Sequence, residues 1–216
     1  MGVEIPLFPL STVLFPHMPL PLHIFEDRYR VMMRDCEEEG VTFGVVAIRA
    51  GVEAHGAATP HPVGTLAQLR EVEKLEDGRY NLLCVGASRF RIASTSTKRP
   101  YLVGEVEYLE DEVGDPAAVQ RLAGQVTTAF RQYADHIAEL SDRRHAELDL
   151  PDDPELLSYL VSATLQIEIP RKQELLELNS AASRLRRCLS LLRRESVLLG
   201  QMLSRRDVPM GRISPN

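Results

Sequence analysis

The hydrophobic pattern of this chain changes at about residue 115, and this change limits the architectures that the chain can form. Before it, short segments rich in Val, Leu, Phe and Tyr are separated by glycine-containing turns, which indicates β-strands. After it, apolar residues recur at steps of three and four, which indicates amphipathic helices. No internal repeat or long linker separates the two halves. The sequence therefore predicts an α+β protein in which a barrel-like half and a helical half share an interface.

Turn residues divide the first half into predicted strands. Asp77 and Gly78 stand between two of them and predict a tight hairpin, because glycine readily takes a positive φ. Five prolines between residues 6 and 21 favour an edge strand at Val3–Leu7 followed by an ordered loop, since proline cannot donate a ladder hydrogen bond. Residues 50–63 are predicted to form a second loop. The other predicted strands are Thr42–Arg49, Thr65–Lys74, Arg79–Val85, Arg89–Ser94 and Tyr101–Leu109.

Helices are predicted at five places, one of them in the first half. This helix runs from about Asp27 to Glu39 and is ended by Gly40. In the second half, Asp115 and Asp153 are each followed by proline, which provides an N-cap and a first-turn residue. The helix after Asp153 is expected to stop at residue 170, before a short helix and a last one over residues 180–206, and the four form a bundle. The apolar stripe of the helix after Asp153 is expected to begin with Leu156, Leu160 and Ala163.

Charge and cysteine content exclude several classes of protein. The net charge is -6, yet residues 180–206 carry seven arginines and one acidic residue, so this segment is +6 and the remainder -12. Three widely spaced cysteines favour neither a disulfide framework nor a paired-Cys zinc site. The start of the chain lacks a secretory signal, and no apolar run reaches the ~18–20 residues of a membrane span. These features predict a cytoplasmic protein without a membrane partner.

The catalytic signatures of common enzyme classes are absent from the sequence. None of the three lysines is followed by Ser or Thr, as a phosphate-binding P-loop requires. No serine stands in a G-x-S-x-G elbow, and no H-E-x-x-H pair is present. Glu53, His55 and His61 lie in a loop that offers no further spaced ligand, so a solvated loop is favoured over a metal site. The sequence predicts no catalytic residue, no metal and no cofactor.

Three stretches of the first half resemble a known family in sequence order. Residues 5–36, IPLFPLSTVLFPHMPLPLHIFEDRYRVMMRDC, resemble the opening of the N-terminal substrate-binding domain of Lon proteases, with its proline-punctuated strand and its helix entry. Residues 63–92, VGTLAQLREVEKLEDGRYNLLCVGASRFRI, are similar to the V-G-T strand, the D-G-R-Y hairpin and the returning strand of that family. Residues 100–112, PYLVGEVEYLEDE, resemble its closing strand.

The resemblance implies a PUA-like β pseudo-barrel with one helix, followed by a C-terminal helical bundle. The expected boundaries are 1–112 for the barrel-like part, 116–207 for the bundle and 208–216 for a short tail. Full Lon proteases also carry a P-loop ATPase and a Ser-Lys peptidase, which this sequence does not contain. The resemblance therefore implies a non-catalytic module and does not extend to proteolysis.

The function implied by the resemblance is recognition of exposed or unfolded polypeptide, or of a specific protein partner. The candidate contacts are Met18, Phe25, Arg28 and Tyr29, because apolar and aromatic groups anchor peptides and arginine can hold a carboxylate. Packing in the core is the competing role for Phe25 and Tyr29, and Glu26 is a competing partner for Arg28. The oligomeric state is left open by the sequence.

RNA binding is the alternative function, since PUA-like barrels elsewhere hold RNA and the last helix is basic. The net negative charge opposes this alternative. An enzyme without a familiar signature is a third hypothesis, which the absent motifs disfavour.

Overall fold

The secondary structure of the described chain consists of six strands and five helices. A computed structural model describes residues 2–50, 59–141 and 148–206, and describes residues 205 and 206 by their backbone only. The predicted tail, Glu53 and His55 lie outside the described residues. In chain order the elements are β1 (Val3–Leu10), β2 (Pro19–Ile24), α1 (Asp27–Glu39), β3 (Phe43–Ala50), β4 (Thr59–Lys74), β5 (Tyr80–Ser96), β6 (Leu102–Leu109), α2 (Pro116–Leu140), α3 (Pro154–Thr164), α4 (Ile169–Glu177) and α5 (Ala181–Arg206).

All six strands form one sheet in the order β2-β5-β4-β3-β1-β6. Its neighbouring strands are antiparallel except β1 and β3, which run parallel. β6 also pairs with the second half of β5, from Arg89 to Ser96, so the sheet bends back on itself. β2 pairs with the first half of β5 and lies outside this circuit. The pairings confirm an α+β fold with a barrel-like sheet, although the sheet is not a closed barrel.

The first strand is longer and more central than predicted. β1 pairs antiparallel with β6 through Val3–Leu7 and parallel with β3 through Leu7–Leu10, so the prediction of an edge strand is wrong. Its prolines are accommodated because Pro6 is in register with β6 alone and Pro9 with β3 alone. Each proline therefore has one flank on which a missing N–H breaks no ladder bond.

Three other strand predictions need correction. Residues 19–24 form β2, an edge strand, where an ordered loop was expected. β4 already begins at Thr59, inside the predicted loop. The separate strands predicted on either side of Gly86 are one strand, β5. β2 lies at the edge of the sheet, Pro60 is in register with β3 alone, and Gly86 pairs beside a register shift between β4 and β5. Such positions tolerate proline and glycine.

The predicted turn and caps of the first half are confirmed. Gly78 closes the β4–β5 hairpin with φ +79°. Helix α1 spans the predicted residues, and Gly40 ends it in the left-handed region with φ +66°. Both glycines stand where a side chain would strain the backbone. The buried face of α1 is also the predicted one, formed by Tyr29, Met32, Met33 and Cys36.

The helical half confirms the predicted helix starts. The Asp115 side chain accepts a hydrogen bond from the Ala117 N–H at the start of α2, and Asp153 accepts one from the Leu156 N–H at the start of α3. α5 begins at Ala181 and runs for 26 residues. Within the described residues, no helix is both long enough and apolar enough to cross a bilayer.

Two details of the helical half differ from the prediction. α3 ends at Thr164, and Pro170 lies in the first turn of α4, where its missing N–H costs nothing. The buried face of α3 is not centred on the predicted Leu156. Its buried residues are Leu157, Ser158, Tyr159, Val161 and Ser162.

The sheet and the helices share one buried cluster. Phe15 and Val63, from the sheet half, belong to the same core as the inner faces of α2, α3, α4 and α5. A second core lies between α1 and the sheet around Met32, Met33 and Phe43. The Gln173 side chain adds a polar link, because its Nε2 donates to the Val63 carbonyl over 3.0 Å. The contacts join both halves of the chain.

Candidate functional site

Phe25 is the most exposed of the four predicted contact residues. It lies between β2 and α1, and 62% of its surface is accessible to solvent. Its ring stacks against the His23 imidazole, with centroids 6.1 Å apart and an interplanar angle of 24°. A large apolar side chain held outside the core in this way can anchor an apolar group of a ligand.

Arg28 and Tyr29 lie close to Phe25 in sequence but make internal contacts. The Arg28 Nε donates to a Glu26 carboxylate oxygen over 2.9 Å, and the guanidinium lies 4.4 Å from the centre of the Tyr29 ring. Tyr29 is buried, and its ring packs 4.2 Å from that of Phe8. The structure therefore places Tyr29 in the core, with the Arg28 guanidinium packed over its ring.

Met18 lies at the other end of β2 from Phe25. Its side chain is partly buried and packs against the cluster that includes the helical half. Its carbonyl accepts a hydrogen bond from the Gly86 N–H over 3.0 Å. The structure thus groups Phe25, Arg28 and Tyr29 at one corner of the molecule and places Met18 apart from them.

A row of polar side chains crosses the sheet next to Phe25. His23, Asn81 and Glu73 occupy directly paired positions on β2, β5 and β4. The His23 Nδ1 lies 2.7 Å from the Asn81 Oδ1, and the Asn81 Nδ2 donates to a Glu73 oxygen over 2.7 Å. Because the amide oxygen is an acceptor, this arrangement assigns the proton of a neutral His23 to Nδ1. We name the exposed surface of Phe25, His23, Asn81 and Glu73 the Phe25 corner.

The hairpin tip holds the Phe25 corner to α1. The Arg30 guanidinium donates to the carbonyl oxygens of Asp77 and Gly78 over 3.1 and 2.9 Å, and to the Asp27 carboxylate over 2.9 Å. A hydrogen bond from Arg79 holds the pKa of the Asp77 carboxyl below its ordinary value. These contacts fix the tip of the β4–β5 hairpin against the first turns of α1, which begins two residues after Phe25.

The polar row was missed in the sequence because β2 was expected to be a loop. The signal was present, since Leu20, Leu22 and Ile24 alternate with Pro19, Pro21 and His23. Alternation of this kind indicates a strand with one buried face. The prolines outweighed it, although an edge strand tolerates them.

A buried ionic cluster lies where the sheet meets the helices. Arg89 on β5 and Arg184 on α5, 2% and 0% exposed, both bind the Asp111 carboxylate. The Arg184 guanidinium also lies 3.8 Å from the centre of the Tyr159 ring. Both Asp111 oxygens are occupied by guanidinium groups, so this carboxylate is unsuited to act as a general base. We name Arg89, Asp111 and Arg184 the joint cluster and assign it a structural role.

The cysteine thiols are buried and poorly reactive. Burial raises the pKa of Cys36 to about 12 and the pKa values of Cys84 and Cys188 to about 11. Because the thiolate is the nucleophile, such thiols are inert at neutral pH. Among the described residues, no group of three or more His, Cys, Asp or Glu side chains could hold a metal ion. His61, from the loop considered above, lies 4.0 Å from Glu177, and burial lowers its pKa.

The basic residues of α5 occupy two environments. Arg184 is buried in the joint cluster, whereas four other arginines of this helix are exposed. Two of these have acidic neighbours, since Arg187 lies 3.0 Å from Glu174 and Arg194 lies 4.0 Å from Glu195. The exposed arginines are Arg186, Arg187, Arg193 and Arg194.

The chain is similar to the Lon proteases of several bacteria. It is 29% identical over 198 residues to Lon protease of Anaeromyxobacter dehalogenans and 30% identical over 196 residues to Lon protease 2 of Herpetosiphon aurantiacus. These matches cover 90% and 89% of this chain but 24% of each relative. The chain therefore spans about a quarter of the length of the Lon proteases that it matches.

Two solved structures have the same fold. The Lon N-terminal domain protein from Xanthomonas campestris aligns with a TM-score of 0.64 and 26% identity, covering 87% of this chain and 98% of that one. The N-terminal domain of Mycobacterium avium complex Lon protease aligns with a TM-score of 0.62 and 17% identity, covering 88% and 98%. The family model of the ATP-dependent protease La (LON) substrate-binding domain matches residues 4–194. Because the family model covers most of its length, the chain belongs to the Lon substrate-binding domain family.

Proposed function

We propose that this protein is a non-catalytic binding module that recognises exposed polypeptide segments, or a protein partner that presents one, through the Phe25 corner. The observation that carries the proposal is the solvent-exposed ring of Phe25 in a family described by substrate binding. No P-loop or Ser-Lys peptidase motif is present in the sequence, so we expect neither ATP hydrolysis nor peptide cleavage from it.

The corner favours recognition through side chains over addition of a strand. β2 is the edge strand of the sheet, but Pro19 and Pro21 have no N–H to donate along it. A peptide that extended the sheet would need those donors. Phe25 can instead contact an apolar side chain of the client, while Asn81 and His23 offer hydrogen-bonding groups at its flank. Such a surface recognises exposed apolar residues with little sequence specificity.

Binding through this surface should be weak and independent of nucleotide. One exposed ring and a short polar row bury little area, and ordering a flexible client costs free energy. We therefore expect dissociation constants on the order of micromolar or higher. Because no energy source unfolds the client, the protein can bind only segments that are already exposed.

Replacing Phe25 by Ser should lower the affinity for unfolded polypeptide at least about tenfold, which corresponds to about 1.4 kcal/mol. The free energy of unfolding should change by less than about 0.5 kcal/mol, because the ring is mainly exposed. Fluorescence anisotropy of a labelled, reduced and alkylated polypeptide measures the affinity, and urea unfolding measures the stability.

Tyr108→Ser is the matched control for the Phe25 substitution. Tyr108 is also exposed and aromatic, but it lies on β6 opposite the second half of β5, away from the Phe25 corner. We expect this variant to bind like the unaltered protein. Equal losses for the two variants would show that exposed aromatic surface in general, rather than the corner, binds the polypeptide.

RNA binding through α5 is the second candidate function, favoured by four exposed arginines on this helix. Three observations weigh against it: the net charge of -6, the Glu174 carboxylate beside Arg187, and the lack of aromatic residues in α5 on which bases could stack. A mobility shift with structured RNA, lost when the four arginines are reversed to Glu, would favour this candidate.

A further inference from the structure

We propose a second docking surface, formed by the groove between α4 and α5 and the exposed face of α5 beyond it, whose partner is an acidic protein segment that also carries apolar residues. This surface is separate from the Phe25 corner and does not depend on the function proposed for it. We name it the α5 face, and its members used below are Arg186, Arg187, Arg193 and Val197.

The groove is the concave part of the α5 face, where such a segment can begin to bind. It has a volume of about 690 Å³, and Leu178 contributes apolar surface where α4 meets the link to α5. Ser183, Arg186 and Ser190 line the α5 side, and these positions succeed one another at steps of three and four along the helix. A groove of this volume accommodates several side chains of a bound segment.

The arginines in and beside the groove differ in whether an acidic side chain neutralises their charge. Arg186 and Arg193 have neither a hydrogen-bond nor an ion-pair partner within residues 2–50, 59–141 and 148–206. They are two helical turns apart, about 10 Å along the axis, so they can contact two carboxylates of one bound segment. Two accessible guanidinium groups on one face are available to carboxylates of a partner.

The acidic residues beside the groove are held by other contacts. The Glu174 carboxylate accepts a hydrogen bond from Arg187 over 3.0 Å. A Glu177 oxygen accepts one from the Gln173 Nε2 over 2.9 Å and lies 4.0 Å from the His61 Nδ1. These carboxylates are engaged away from Arg186, which leaves its charge open to an acidic partner.

The exposed surface of α5 becomes apolar towards the end of the helix. Val197 lies seven residues beyond Ser190 on the same side of the helix and is 61% exposed, whereas Leu198 and Met202, 43% and 56% exposed, lie on the adjacent flank. Exposed apolar side chains grouped on a helix are a common feature of protein-binding surfaces. Arginines followed by an apolar group fit a segment in which acidic and apolar residues are both present.

The chemistry of the α5 face fits a protein better than RNA. The α5 face offers the methyl groups of Val197, and α5 contains no aromatic ring on which a base could stack. A protein segment can instead match arginines and apolar groups in turn, and charge complementarity makes the choice of partner specific.

The test uses a fluorescein-labelled synthetic peptide of Glu-Glu-Leu repeats and the full chain carrying Arg186→Glu and Arg193→Glu together. We expect this double variant to bind the peptide at least about tenfold more weakly, and the unaltered protein to lose affinity as salt is raised. The same double variant should bind the reduced and alkylated polypeptide as tightly as the unaltered protein does, which separates this surface from the Phe25 corner. Circular dichroism confirms that each variant is folded.

The matched control is the double variant Arg121→Glu and Arg131→Glu, which makes the same change in net charge on α2, outside the groove. We expect it to weaken peptide binding by less than about twofold. Equal losses for the two double variants would overturn the proposal, because only net charge would then matter. Tighter binding of single-stranded RNA than of the peptide, lost through the α5 substitutions, would also overturn it and identify a nucleic-acid surface.

Discussion

Replacing Asp111 by Asn is expected to lower the free energy of unfolding by about 3–5 kcal/mol. The side chain is 14% exposed and is the shared acidic partner of two arginines in the joint cluster. Asparagine offers one accepting oxygen in place of two and turns an N–H donor towards a guanidinium. Arg89 and Arg184 would then remain buried without a countercharge, and an uncompensated buried charge is strongly destabilising.

The joint cluster makes this loss global, because it connects elements from both halves of the chain. Arg89 on β5 donates to the Leu176 and Leu178 carbonyls near the end of α4, each over 2.7 Å. The Arg184 Nε on α5 donates to the Ser158 hydroxyl on α3 over 2.9 Å. These partners fix the guanidinium groups in place, so they cannot turn to solvent when Asp111 is neutralised.

Urea unfolding measures the effect, and Glu174→Gln is its matched control. Glu174 pairs with Arg187, one turn after Arg184 on the same helix, but both side chains are exposed. Removing that charge should cost less than about 1 kcal/mol. Similar losses for Asp111→Asn and Glu174→Gln would contradict the structural role of the joint cluster.

Replacing Gly86 by Ala should destabilise the protein by about 1–3 kcal/mol, the range typical of overpacking. A methyl group at this position would overlap the Phe15 carbonyl, with its carbon at 2.9 Å. The two segments are also tied by backbone hydrogen bonds, since the Gly86 carbonyl accepts from the His17 N–H over 2.8 Å. The methyl group can therefore be accommodated only by moving β5 away from this loop.

Gly124→Ala is the same kind of substitution with the opposite expected effect. It should raise the free energy of unfolding by about 0.5–1 kcal/mol. Gly124 lies within α2, and an added methyl group would meet nothing within 4 Å. Urea midpoints of both alanine variants measure the contrast. A neutral Gly86→Ala variant would show that the loop approaches β5 less closely than described.

Three helix bounds followed from the sequence because the groups that begin and end helices act locally. Asp115, Asp153 and Gly40 each stand at the boundary that they predicted, since a cap needs only neighbouring backbone groups. Strand pairing could not be derived in the same way. β1 became a central strand because distant residues of β3 and β6 pair with its two halves.

The buried face of α3 was misjudged because its polar residues face inwards. Ser158 and Ser162 are buried, the first beneath the Arg184 guanidinium and the second 3.3 Å from the Cys188 sulfur. A buried face predicted from apolar residues alone leaves out serine. The predicted face of α3 is therefore turned about the helix axis relative to the observed one. The sequence groups Arg184 with the other arginines of the basic segment, because its countercharge, Asp111, lies far away in the sequence.

Part of the candidate site was predictable, because the chemistry of a residue can be read from the sequence but the direction of its side chain cannot. Phe25 was singled out by its chemistry and is exposed, whereas its neighbour Tyr29 is buried although its chemistry is similar. The direction of each side chain depends on how β2 and α1 meet the sheet. The flanking Asn81 and Glu73 come from other strands and are brought to Phe25 by pairing alone.

The central claim, recognition of exposed polypeptide, is tested by titrating one labelled polypeptide in two forms, folded and irreversibly unfolded, with and without ATP. Selection of exposed segments predicts that the unfolded form binds at least about tenfold more tightly, with micromolar or weaker affinity, and that ATP changes neither value. Equal affinity for the folded and unfolded forms would contradict the claim and indicate a partner recognised through its folded surface.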